Sequence, residues 1–380
     1  MAFGIAALVV ARGFTEWMFV DFREATIESQ YAHLQITRPG FHEDGTSDPF
    51  RYVLPRETGR KIAEGVPHVR SLAPRLKLAG LVSRGDATVS FTGEGIDPAI
   101  DLTGDRSLRI LQGSKLEPSD RASVLLGRGL AKILGASVGD NVVLLVNTPR
   151  GGVNALDARV VGIFASVSKA YDDSALLVSI DTASRLLKVG GAHAWLMYLT
   201  DTRHTAEVAA SIRQRLDPKE FEVRTWDQLA EFYTRAVALL REQLGVVRIV
   251  VVAIILLSIA NTMMMAVVER TGEIGTAMAL GLRRREIRGQ FLLEGSLIGV
   301  AGGLAGLLLA LVLAGVISAL GIEMPPPPSL TRGYVARVLF TPSIVLEALV
   351  LAVATTVLAS LFPAWKASRM AIVDALRYNH

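Results

Sequence analysis

Long apolar runs dominate the last third of the chain: GVVRIVVVAIILLSIANTMMMAVV over Gly245–Val268, FLLEGSLIGVAGGLAGLLLALVLAGVISAL over Phe291–Leu320, and SIVLEALVLAVATTVLASLF over Ser343–Phe362. Crossing a bilayer as a helix takes about 20 apolar residues, so each run predicts a transmembrane span. Between the first two lies a charged stretch with a helical pattern of its own, ERTGEIGTAMALGLRRREI over Glu269–Ile287. A linker that short, held at a membrane face, has room for little besides docking. It predicts a point where force or a signal is received. Between the second and third runs, the four prolines Pro325–Pro328 cannot continue a helix and predict a turn outside the membrane.

The N-terminal MAFGIAALVVARGFTEWMFV is the candidate for one further span. It has no basic start and no A-x-A site after a longer apolar core, which argues against a cleaved signal peptide. The expectation is the outer part of a first span over residues 1–20, lacking its cytoplasmic start, with Arg12 snorkelling or at the interface. Lysines and arginines in short loops set the orientation. The linker carries Arg270, Arg283, Arg284, Arg285 and Arg288, the tail carries Lys366, Arg369 and Arg377, and the proline turn has only Arg332 and Arg337. Linker and tail are therefore expected in the cytoplasm, with the proline turn and residues 21–228 outside.

Residues 21–228 have ordinary globular patterning. Tyr31–Thr37 alternates as a strand before a turn at Arg38-Pro-Gly. Pro55–Glu64 reads as a helix, and Leu72–Val82 with Ala87–Gly93 as strands about a turn. From Ser123, SVLLGRGLAKILGASVGDNVVLLV predicts strand, short helix and strand, and Leu156–Phe164 pairs with the last. Strand, helix, strand, helix and strand follow at 175–179, 181–187, 195–199, 205–216 and 221–224. The expected fold class is an α+β membrane protein: four transmembrane helices with a large two-lobed extracytoplasmic domain between spans 1 and 2. An α+β lobe would take about 21–110 and 166–228, and a β-rich lobe about 111–165. Thr225-Trp-Asp-Gln228 fits a capping box, and helical spacing continues into the next span. The spacing is equally compatible with a stalk over 229–268 and with a helix ending at the interface. The remaining divisions are a coupling loop at 269–288, spans at 289–320 and 343–363 about a turn at 321–342, and a tail at 364–380.

Composition agrees with two populations. Apolar residues make up 51% and charged residues 20% of the chain, and the mean hydropathy is +0.39. The net charge of +4 follows from arginines flanking spans. No nucleic-acid-binding pattern accompanies it, so no nucleic-acid partner is expected. Without cysteine there are no disulfides, thiolate metal sites or thiol nucleophile. No Walker A, HExxH or G-x-S-x-G motif occurs, so no catalytic residue and no metal is expected. His42-Glu-Asp44 with Asp48 is explained better as an acidic surface loop than as a cation site. Arg248, Glu294 and Glu347 lie within about a turn of span ends, where a structural reading outweighs a proton relay. Gly299/Gly303 and Gly302/Gly306 form small-xxx-small pairs that predict close helix packing, within or between subunits.

Glu269-Arg-Thr-Gly-Glu-Ile-Gly-Thr-Ala-Met-Ala-Leu-Gly281, followed by Phe291-Leu-Leu-Glu294-Gly, resembles the E-R-x-x-E-I-G-x-x-x-A-x-G loop of ABC transporter permeases of the MacB/LolC/FtsX type. FPAWKASRMAIVDALRYNH resembles that family's ending, with Ile372 where a proline is usual. AHLQITRPGF and GEGIDPAID resemble segments of the lipoprotein-releasing branch, and VLLGRGLAKILGASVGDNVVLL one shared by many members. The Ala277-Met278 pair stands where the loop often has arginine or lysine.

The resemblance implies a coupling helix seated on a separate cytoplasmic ATPase in the bacterial inner membrane. Glu269, Arg270 and Glu273 would make polar contacts, Ile274, Met278 and Leu280 would fill an apolar groove beside Ala279, and Gly275 and Gly281 would allow close approach and helix exit. ATP and magnesium would be held by the ATPase, leaving this chain without a cofactor. A second copy or a related permease and membrane lipid are further implied partners, and a periplasmic adaptor or carrier stays open. The implied work is mechanical, on a lipoprotein, lipid, peptide or small amphiphile outside the membrane. The competing reading is a non-transporting scaffold that activates a cell-wall hydrolase. A membrane-anchored enzyme is third, with no constellation to support it.

Overall fold

Strand-forming alternation and amphipathic helices organise residues 21–235 into one α+β unit in the computed structural model. The structure describes residues 1–45, 47–101, 108–120, 122–166, 168–325 and 333–371. Pro326–Pro328, Arg332 and the tail from Ile372 onward, with Arg377, lie outside the described residues. The principal strands are β1 (Leu34–Thr37), β2 (Val69–Arg84), β3 (Ala87–Ile96), β4 (Arg109–Gly113), β5 (Ser123–Gly127), β6 (Asn141–Asn147), β7 (Val153–Ala165), β8 (Ala175–Ser179), β9 (Ala194–Leu199) and β10 (Glu222–Thr225). They form a ten-stranded sheet in the order β10-β1-β9-β2-β3-β8-β5-β7-β4, with β6 paired to both β2 and β7. β3 with β8 and β5 with β7 run parallel.

Local chemistry explains several of these elements. β2 and β3 make a hairpin whose register closes at Arg84 opposite Ala87. Its two-residue turn places Gly85 at φ +55°, where a side chain would be strained. β6 pairs with the strand after Thr148-Pro-Arg-Gly-Gly from Asn141 opposite Arg159 to Asn147 opposite Val153, so of the expected Leu156–Phe164 only Leu156–Arg159 faces it.

The helices covering the sheet are α2 (Arg128–Leu134), α3 (Ile180–Leu187) and α4 (Thr205–Arg215). α2 and α3 share one apolar core with Leu76, Val82, Phe91, Val124, Leu144, Val160 and Val178. α4 covers a second core with Leu34, Ile36, Trp195, Met197 and Val223. The segment 111–165 is therefore not a lobe packed on itself. Its strand β5 pairs with β8, and its core is completed by residues 76–91 and 176–187. The long strand β2 contributes to both cores, which is why a division drawn along the sequence misplaces the boundary.

The second unit takes residues 1–20, 236–324 and 335–380. Among the described residues, four helices are long and apolar enough to cross a membrane. They belong to α1 (Ala2–Thr26), α5 (Glu231–Glu269), α7 (Arg284–Leu320) and α8 (Pro342–Ser368), with the short α6 (Thr271–Ala279) between α5 and α7. α8 continues through Pro363 to Ser368, beyond the expected stop at 363. Proline is tolerated in transmembrane helices because neighbouring groups satisfy the freed carbonyl.

Five glycines of α7 fall on two packed faces of the helix. Side chains at Gly295 and Gly303 would meet Ser360 Oγ at 2.7 Å and Ala352 Cβ at 3.1 Å, and Gly299 faces Thr356. Gly302 and Gly306 instead face α1, where a Cβ would lie 2.7 Å from Met1 Sδ and 2.8 Å from the Ala2 carbonyl oxygen. Both small-residue pairs thus seat helices of the same chain.

The stretch leading into α5 differs from expectation at one point. The Thr225–Gln228 capping box is formed, with the Thr225 N–H donating to Gln228 Oε1 at 3.1 Å. The helix it starts stops at Leu229, and Ala230 (φ −88°, ψ 56°) breaks the path before α5 begins. From Glu231 the helix is unbroken for 39 residues.

Candidate functional site

The stretch between α5 and α7 is built by three local signals. α5 ends at Glu269, and Arg270, at φ −98° and ψ 16°, turns the chain into α6. α6 ends at Ala279, and Gly281 takes φ +100°, a conformation that favours glycine. α7 then starts with its own cap: the Arg283 N–H donates to the Glu286 carboxylate at 2.7 Å.

α6 is two-faced. Thr271, Ile274, Gly275 and Met278 are buried. Ile274 (7% exposed) and Met278 (9%) join a core with Met263, Val267, Ile287, Phe291, Ala364 and Ala367. Glu273, Thr276, Ala279 and Leu280 face outward, and Leu280 is 81% exposed.

Part of the expected docking set faces inward: Ile274 and Met278 fill their own unit's core, and Gly275 lies on the same face. Their helical spacing suits either role, but the apolar faces of α5, α7 and α8 take them first. The outward groups that remain are Glu269, Glu273, Ala279, Leu280 and Gly281, bordered by exposed Arg283, Arg284, Arg285 and Arg288.

Arg270 is engaged within the chain. Its Nη1 donates to both carboxylate oxygens of Glu294, at 3.2 and 3.1 Å, and Glu273 lies 3.7 Å from its Nε. The pair ties the turn before α6 to the second turn of α7's apolar stretch. It also gives Glu294 a partner that spacing along the sequence does not reveal.

The other charges in apolar stretches are also paired. Arg248 Nη1 lies 2.5 Å from Glu347 Oε1, Arg12 Nε is 4.0 Å from Oε2 of the same carboxylate, and Arg12 meets Glu16 at 2.9 Å. Arg12, Arg248 and Glu347 line a cavity of about 510 Å³ with Ala7, Phe19, Val251 and Leu351.

In the α+β unit, the His42 to Asp48 loop is not gathered about a common centre. The Arg224 guanidinium pairs with Glu43 and holds its carboxyl below the usual carboxylate range. Burial depresses His42 to about 4. Among the described residues, the one histidine and carboxylate group with cation-binding spacing is His68, His204 and Glu207. Sequence reading missed it because its members come from distant segments with no motif between them.

The chain matches the MacB-like periplasmic core domain family over residues 1–215 and the FtsX-like permease C-terminal family over residues 245–372. It is 25% identical over 335 residues to the lipoprotein-releasing system transmembrane protein LolC of Xylella fastidiosa, covering 82% of this chain and 79% of that one. Over 264 residues it is 25% identical to the macrolide export ATP-binding/permease protein MacB of Bordetella avium, covering 66% of this chain and 39% of that protein. Among solved structures, the periplasmic region of MacB from Actinobacillus actinomycetemcomitans aligns with a TM-score of 0.38 at 15% identity, over 52% of this chain and 91% of that one.

Proposed function

This chain belongs to the MacB/LolC/FtsX-type family of ABC transporter permeases, and we propose that it relays ATP hydrolysis by a separate cytoplasmic ATPase to its extracytoplasmic α+β domain. In this reading the domain lies between the first and second spans, and its movement extracts or moves a cargo at the outer face of the inner membrane. ATP and magnesium are bound by the ATPase. A second copy or a related permease completes the assembly.

The observation that carries this reading is α5. At 1.5 Å per residue, its 39 residues reach about 60 Å, roughly twice the thickness of a hydrocarbon core of about 30 Å. A helix that long must project beyond the bilayer. Five residues separate it from β10, and it ends immediately before the turn into α6, so a single helix leads from the domain to the docking segment. The exposed Glu273 and Leu280 would be the parts of α6 that touch the ATPase, a polar contact beside one apolar anchor.

The names of the similar proteins, a lipoprotein-releasing protein and a macrolide exporter, favour a lipidated or amphiphilic cargo. A periplasmic carrier or adaptor would receive it. The test is purification of the full chain in mild detergent from its native host, wild type against Glu273→Lys/Leu280→Asp. A co-purifying P-loop protein and its ATPase activity are expected, with recovery falling in the variant. Recovery of no ATPase, or equal recovery with both chains, would overturn the reading.

A further inference from the structure

We propose that His68, His204 and Glu207 bind a divalent transition-metal ion of the zinc class on the α+β unit. One ligand atom from each residue lies within 4.8 Å of the other two. A tetrahedral zinc ion with bonds of about 2.0–2.1 Å holds its donor atoms about 3.3 Å apart, so binding needs the side chains to contract onto the ion.

The backbone supports are fixed. His68 sits immediately before β2, and its carbonyl accepts the Thr200 N–H at 3.0 Å. His204 caps α4, its N–H donating to the Asp201 carbonyl at 3.2 Å, and Glu207 follows within the first turn of that helix. His204 Nδ1 already lies 3.4 Å from Glu207 Oε2.

Two further features single the group out. The imidazole rings of His68 and His204 stack with centroids 3.8 Å apart and an interplanar angle of 4°, which brings ring nitrogens of both residues to one place. A metal must lie in the plane of each ring it binds, so one ring has to turn, and the exposed His68 ring is free to do so. His68 also takes φ +64°, a left-handed conformation uncommon outside glycine and often found where a side chain is held for a purpose.

The donor set selects the ion. Two imidazoles and one carboxylate suit zinc, copper or nickel, whereas calcium and magnesium require oxygen donors. Three protein ligands leave a fourth position for water. The bound ion would join the start of β2 to α4. This inference is independent of the transport reading.

The test uses the full chain in detergent, carrying an affinity tag without histidine and stripped with a chelator. Cobalt(II) is added as a spectroscopic probe and zinc in calorimetry. One equivalent of zinc, tetrahedral cobalt absorption and a melting temperature raised by zinc are expected. His68→Asn, which keeps a residue tolerant of the left-handed backbone, should weaken binding by more than about tenfold, as should Glu207→Gln on the exposed surface. Absence of uptake by the wild type, or equal affinity in both variants, would overturn the proposal. Melting without metal shows whether each variant is folded, and the exposed Glu207→Gln serves if His68→Asn is not.

Discussion

Arg248 on α5 and Glu347 on α8 meet at 2.5 Å, with Arg12 of α1 approaching the same carboxylate at 4.0 Å. One acid thus answers two cations, and the three groups come from three apolar helices. An arginine at the centre of a span costs about 2.5–3.5 kcal/mol on insertion scales, and less towards its ends. The pairing lowers that cost and fixes which faces of the helices meet.

Neutralising the shared acid removes the counter-charge of Arg248, while Arg12 keeps Glu16. Glu347→Gln is expected to destabilise the helical unit by about 1–3 kcal/mol, read as a lower melting temperature in detergent. Adding Arg248→Gln should recover part of the loss. If the two losses simply add, the pair is not coupled.

Packing of α7 gives a sharper steric contrast. Gly299 faces Thr356 and Gly303 lies against Ala352, while nothing lies within 4 Å of a Cβ at Gly315. Gly299→Leu should therefore cost about 1–3 kcal/mol by overpacking. Gly315→Leu on the same helix should be neutral or slightly stabilising, because leucine forms helix better than glycine. Equal melting temperatures for the two variants would contradict the assignment of faces.

Buried histidines predict an acid limit for the α+β unit. His33 is lowered from 6.5 to about 4, first by burial. The Leu199 N–H donates to its Nδ1 at 3.1 Å, so the ring must be neutral on that side. His193 is likewise lowered to about 4 by burial, and its Nδ1 accepts the Lys77 N–H at 2.9 Å. Between about 4 and 6.5 the unfolded chain takes up protons that the folded unit refuses, so stability rises with pH across that window. The contribution is complete above about 6.5 and is lost as pH falls towards 4, by about 3 kcal/mol for a fully buried ring. Melting temperature should fall from pH 7 to pH 5, and His33→Gln, which can still accept and donate, should flatten the fall.

The spans were legible because length and apolar content decide them with little help from tertiary structure. Strands β6 and β7 were legible for a related reason: their register is local, set by the short turn at Thr148–Gly152. The capping box at Thr225 needs only four residues to specify it. What could not be read were choices between partners distant in sequence. β3 pairs in parallel with β8 and β5 with β7, and those pairings merge segments that composition separates. His68 and His204 meet only because β2 and α4 are brought together by the sheet. In α6, the periodicity of Ile274 and Met278 announces a buried face without saying whose surface buries it.

That ambiguity yields a prediction that separates stability from coupling. Ile274 is enclosed by its own unit, so Ile274→Ala should create a cavity and cost about 2–5 kcal/mol, lowering the melting temperature of the permease alone. Leu280 is exposed and a Cβ at neighbouring Gly281 would meet nothing, so Leu280→Ala should leave that temperature within about 0.5 kcal/mol of wild type. If Leu280 anchors the ATPase, the same change should weaken recovery of the partner and lower ATPase activity per permease. A residue that packs inward does the reverse: it alters melting first, and coupling only as folded protein is lost. Measuring both quantities on both variants distinguishes a docking helix whose outer face binds from one whose apolar residues serve only to hold α5 against α7. Loss of partner recovery in Ile274→Ala at unchanged melting temperature would return Ile274 to the docking surface and contradict the burial described above.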